Sequence, residues 1–88
     1  MDKNARFIEY NGALYPLSDV GGVKRKDWGL EIWWLSDLEA HLRINAGDPV
    51  LAYARFKAWL DGRWREPWGA EPGNVYPFDW LLDTETLP

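Results

Sequence analysis

Cysteine is absent from the sequence and histidine occurs once, at position 41. The first absence excludes a disulfide framework and thiolate metal sites, and it fits a reducing compartment. The second leaves little for acid–base or metal chemistry. Asp37 is the carboxylate that a helix would bring to His41. The pair has no nucleophile or oxyanion donor beside it, and it supplies fewer ligands than a protein gives catalytic zinc; a surface helix pair is the plainer reading. Serine is scarce too: Ser18 and Ser36 stand at turn and capping positions. Gly21-Gly22 lacks the lysine and the spacing of a phosphate-binding loop. The carboxylates offer no pair with the fixed separation on rigid elements that a glycosidase-type dyad needs. The sequence therefore predicts no catalytic residue, no cofactor and no metal, and a protein that is not an enzyme. No apolar run approaches a membrane span. Met1-Asp2-Lys3-Asn4 lacks the apolar core of a secretion signal. The expected setting is soluble and cytoplasmic, with no membrane partner.

What is abundant is aromatic surface: seven tryptophans, four tyrosines and three phenylalanines in 88 residues. A chain of this length makes one small domain with a modest core and cannot hide every ring. Aromatic groups fill cores, and tryptophan and tyrosine are also enriched at protein interfaces. The net charge is −4 and unevenly spread: residues 1–26 carry +2, residues 27–62 carry −3 and residues 63–88 carry −3. Acidic middle and tail segments repel phosphate and favour a basic protein partner through steering and complementarity.

The best-marked element is a helix between Asp48 and Gly62. Asp48 suits the N-cap, Pro49 the first helical position and Gly62 the left-handed residue past the end. Ala52, Tyr53, Phe56, Trp59 and Leu60 share one face at helical spacing, and Val50, Leu51, Ala54 and Ala58 form a second stripe of mostly small groups. A helix apolar on two sides needs two partners. Upstream, Phe7–Tyr10 and Ala13–Leu17 flank Asn11-Gly12, the preferred pair for a two-residue type I′ hairpin turn. Residues 18–26 read as a connector carrying Gly21-Gly22 and the Lys24-Arg25-Lys26 cluster. Alternation over 29–35 predicts a strand that sends Trp33 and Trp34 to opposite faces. Ser36-Asp37-Leu38-Glu39 has capping-box spacing and predicts a short helix over 37–44. Residues 63–77, rich in proline and glycine but interleaved with Trp64, Trp68 and Tyr76, read as a docked coil. Phe78–Leu82 reads as a helical turn with acidic flanks.

These elements predict an α+β fold. A three-stranded antiparallel sheet, made of 6–10, 13–17 and 29–35, packs on two helices, and an aromatic, proline-rich arm over 63–88 docks on the single domain. The predicted function is a non-catalytic acidic binding module or inhibitor that occludes a basic surface on a larger protein. Trp33 on the open sheet face with Glu31, Ala54 on the helix's second stripe, Trp64 and Trp68 in the arm, and Phe78, Asp79, Trp80, Leu82 and Asp83 in the tail are the expected partner-binding residues. In size, acidity, lack of cysteine and aromatic content the chain resembles phage-encoded inhibitors of bacterial defence or transcription, including anti-CRISPR proteins. That resemblance is one of composition, and it implies competition for a basic, nucleic-acid-binding surface. The alternative is a small DNA-associated regulator using Lys24–Lys26 with Arg63 and Arg65, and a helix-turn-helix made of 37–44 and 49–61. Its second helix is poor in the polar side chains that read base edges, so nucleic acid is the disfavoured partner. A third reading is a homodimer through Ala54 and Ala58.

Overall fold

The computed structural model describes residues 5–85, with side chains described through residue 81. Asn11 and Gly12 both have positive φ, 54° and 78°, as a type I′ turn demands. They join β1 (Phe7–Tyr10) to β2 (Ala13–Pro16), with Tyr10 opposite Ala13 and Phe7 opposite Pro16. On its other edge β1 pairs in parallel with β6 (Val75–Pro77), which sets Ile8 beside Tyr76.

A second sheet, in order β3-β4-β5, is antiparallel throughout. Its strands are β3 (Val20–Lys26), β4 (Gly29–Trp34) and β5 (His41–Asn45). With α1 (Pro49–Asp61) and α2 (Phe78–Glu85), this is the α+β class, with a three-stranded antiparallel sheet and two helices. The membership of that sheet differs from the expectation. The hairpin and 29–34 lie in separate sheets, and 20–26 and 41–45 flank 29–34.

Two segment assignments are corrected. Residues 18–26 are not a connector: a 3-10 turn at Leu17–Asp19 leads into β3. A register shift between Val20 and Gly22 breaks the alternation that would have marked it as a strand. Nor are residues 37–44 a helix. The Ser36 hydroxyl and amide donate instead to the Asp19 carboxylate, at 2.7 and 2.9 Å. The Asp37 side chain accepts from the Glu39 amide at 3.1 Å, closing a local turn. His41-Leu42-Arg43-Ile44-Asn45 then alternates polar and apolar residues, and cross-strand pairing with β4 decides in favour of a strand. At the other end of β4, Gly29 has φ 151°, and a Cβ there would lie 1.9 Å from the Ile44 carbonyl oxygen. Only glycine lets the strands approach so closely.

Helix α1 is capped as its sequence predicts. Asp48 accepts from the Leu51 amide at 3.1 Å, and Gly62 is left-handed at φ 71°. The Arg6 guanidinium donates to the Trp59 carbonyl at 2.6 Å and lies 3.8 Å from the centre of its ring, so it serves the negative end of the helix dipole. Ala52, Phe56 and Trp59 are buried against Leu30, Ile32 and Ile44 of the second sheet and Ile8 of the first. Phe56, Trp59, Tyr76 and Phe78 form one ring cluster with centroids 4.7–5.8 Å apart. Each such side chain contributes about 1.5–3 kcal/mol by leaving water. The Trp59 indole also donates to the Gly73 carbonyl at 3.0 Å. Two further contacts tie the sheets: Tyr15 stacks on Trp34 at 5.1 Å, and the Asn45 amide donates to the Tyr10 hydroxyl at 3.3 Å.

Candidate functional site

Alternation along β4 sends Leu30, Ile32 and Trp34 toward α1 and the first sheet, and Glu31 and Trp33 the other way. The ladder places Glu31 between Lys24 and Arg43, and Trp33 between Gly22 and His41. This outer face is ordered by its own contacts. The Trp33 indole donates to Glu31 at 2.8 Å, the His41 Nδ1 lies 4.0 Å from the same carboxylate, and the Trp33 and His41 rings are 5.7 Å apart. Arg43 lies over Trp28 at 4.3 Å, a cation–π pair that holds the guanidinium along the sheet.

The glycine pair now has a physical role. A Cβ on Gly22 would lie 3.3 Å from the Trp33 ring, and one on Gly21 would lie 3.1 Å from Leu35. The two glycines are thus a low floor on which Trp33 and Leu35 lie. Leu35 opens the loop 35–40, where Leu35 is 61% and Leu38 69% exposed. Asp37 and Glu39 flank Leu38 and are exposed as well. The loop is not slack: the Leu35 amide donates to the Asp19 carbonyl at 2.7 Å, and Asp19 also holds Ser36 through its carboxylate. The half-buried Trp33 and the exposed Leu35 and Leu38 are the apolar groups at this end of the sheet, with the exposed acids Asp37 and Glu39 on either side of Leu38.

The expected partner-binding residues fall in three places. Trp33 and Glu31 meet on this sheet face. Ala54, Trp64 and Trp68 lie at α1 and the segment after it: Ala54 and Trp68 line a shared groove, and Trp64 packs edge-on against Trp68 at 5.1 Å. The described tail residues are placed apart from one another. Phe78 is buried in the core, and Asp79 accepts from the amides of Asn11 and Gly12 at 2.6 and 3.1 Å, fixing the hairpin turn. Trp80 is 73% exposed on α2. The side chains of Leu82 and Asp83 lie outside the described residues. Leu35, Leu38, Asp19 and the two glycines were not among the predicted site residues. Two leucines beside two acids in a stretch that need not be helical were the signal for the loop; Asp19, seventeen residues from Ser36, left none.

Two other arrangements are corrected. The helix-turn-helix loses its first helix, because His41–Asn45 is a strand. Strand alternation also splits the basic cluster, with Lys24 and Lys26 on the outer face and Arg25 on the inner side. Glu31, not Asp37, is the carboxylate beside His41. Among the described residues no group of three or more His, Cys, Asp or Glu side chains is placed to hold a metal, and no helix is long and apolar enough to cross a membrane. Comparison of the chain with protein-family models, with curated proteins and with solved structures finds no match.

Proposed function

We propose that this chain is a non-catalytic protein-binding module whose contact surface is the outer face of β3-β4-β5 together with the loop 35–40. The observation that carries the reading is the exposure of Leu35 and Leu38 next to the half-buried Trp33, with Asp19 holding the loop and Glu31 the indole. Tryptophan is a preferred anchor of binding energy when a partner closes over it. A patch already fixed in the free protein loses little entropy on binding. The exposed acids Asp37 and Glu39 of the loop favour a basic partner surface and steer its approach, beside a sheet face that carries Lys24 and Lys26. The chain's composition, similar to that of phage-encoded inhibitors such as anti-CRISPR proteins, makes occlusion of a basic, nucleic-acid-binding surface the form we assign to this binding.

The test is retention from cell lysate by the immobilised chain, compared with its Leu38→Asp and Trp33→Ala variants. A basic protein kept by the parent chain and lost by both variants supports the reading. Equal retention by all three rejects this surface.

A further inference from the structure

A second uncovered surface has the opposite chemistry. Ala54, Lys57, Ala58 and Asp61 of α1 face Arg63, Arg65 and Trp68 across an open groove of about 340 Å³. We propose that this groove docks an acidic peptide segment of a partner protein, with carboxylates on Lys57, Arg63 and Arg65 and an apolar side chain against Ala54, Ala58 and Trp68.

The groove is built rather than incidental. Trp64 packs edge-on against Trp68 at 5.1 Å and leans on the buried Tyr76 at 6.2 Å. The Trp64 indole donates to the Gly69 carbonyl at 3.1 Å, and the Trp68 amide to the Arg65 carbonyl at 3.1 Å. The aromatic wall is therefore braced from the core outward. Ala54 and Ala58 keep the facing helix surface low, which leaves room for an inserted side chain.

The cations outnumber the carboxylates lining the groove by three to one, and Arg65 lies over Trp68 at 5.6 Å. Among the described residues Lys57, Arg63 and Arg65 form no ion pair, and Asp61 is the one carboxylate lining the groove. Cations at this end of a helix ordinarily serve its dipole, but Arg6 already donates to the Trp59 and Leu60 carbonyls. In a chain of net charge −4, three such cations around one groove form a local field of the wrong sign for the composition. Arginine pairs carboxylates bidentately, and peptide carboxylates supply the missing charge at the spacing of side chains. A nucleic-acid strand fits less well: its phosphates need a continuing basic track, and here Glu66 and Glu71 follow the arginines.

The experiment is an NMR titration of the full chain with a short peptide of Asp and Glu around one Leu. Its Asn/Gln counterpart and an oligothymidylate serve as competitors for the same groove. The expected result is a shift of the 54–68 amides by the acidic peptide alone. Affinity should fall about tenfold or more in the Arg63→Glu/Arg65→Glu variant, and Leu38→Asp should leave it unchanged. The expected loss of affinity with added salt follows from screening of exposed charges. Shift mapping on the unaltered chain gives the answer even where a variant folds poorly. No shift at roughly 1 mM peptide, equal binding of the neutral peptide, or tighter binding of the oligonucleotide would each overturn the proposal. So would concentration-dependent self-association that the double variant abolishes, which would assign the groove to a second copy of this chain.

Discussion

The outer face of the second sheet and the groove beside α1 are both left uncovered, yet they are made differently. On the sheet face and its loop several polar groups are engaged, since Glu31 holds Trp33, Asp19 holds Ser36 and Arg43 lies on Trp28, while Lys24 and Lys26 make no such contact among those described. The exposed apolar groups there are Leu35 and Leu38, beside the half-buried Trp33 and with Asp37 and Glu39 on either side of Leu38. In the groove the aromatic wall is engaged, since Trp68 is braced through Trp64 to Tyr76 and carries Arg65 over its ring, and Lys57, Arg63 and Arg65 outnumber Asp61. One surface thus offers leucines beside a half-buried indole, and the other offers an excess of positive charge along an aromatic wall. Rim charge tunes rate and partner choice, whereas buried anchors set lifetime. We therefore expect the sheet face to hold its partner and the groove to select one.

The strongest way to break the comparison is to remove what both surfaces stand on. Trp59→Ala deletes a buried ring, its indole bond to Gly73 and the platform under Arg6. It should cost about 3–5 kcal/mol, read as a fall in the denaturant midpoint, and should abolish both binding activities. Gly29→Ala acts on the sheet alone, because its methyl meets the Ile44 carbonyl, a backbone group that cannot rotate away. A loss of about 2–3 kcal/mol is expected. Asp19→Ala frees the loop 35–40 and should cost about 1 kcal/mol. It should weaken partner retention while leaving the groove's peptide affinity intact, and a parallel loss of both would show that the two surfaces are not independent. Leu38→Asp, at an exposed position, should change stability by less than about 0.5 kcal/mol and still abolish retention by the sheet face.

The features legible in the sequence are those whose signals are local. The α1 caps lie within one turn of the residues they serve, and Asn11-Gly12 specifies its hairpin through its own backbone preference. Alternation over 29–34 placed Trp33 opposite Trp34, and with it Glu31 on the outer face. The failures share one cause, competition from residues distant in sequence. Ser36 satisfied the spacing of a helix cap, but Asp19 claims both its hydroxyl and its amide. With a loop in place of that helix, Leu38 is 69% exposed. Gly21-Gly22 reads as part of a connector because the side chains that lie on it, Trp33 and Leu35, come from a segment more than ten residues away. In the tail, Phe78 packs among Tyr10, Phe56 and Tyr76 of the same chain, as expected of an arm that docks on its own domain.

The most direct test of the central claim is a side-chain oxidation footprint of the full chain, alone and with the protein that it retains. Loss of labelling at Trp33, Leu35 and Leu38, with Trp80 unchanged, is the predicted result. Unchanged labelling at those three positions, with protection moved to Trp80 or Trp68, would contradict it.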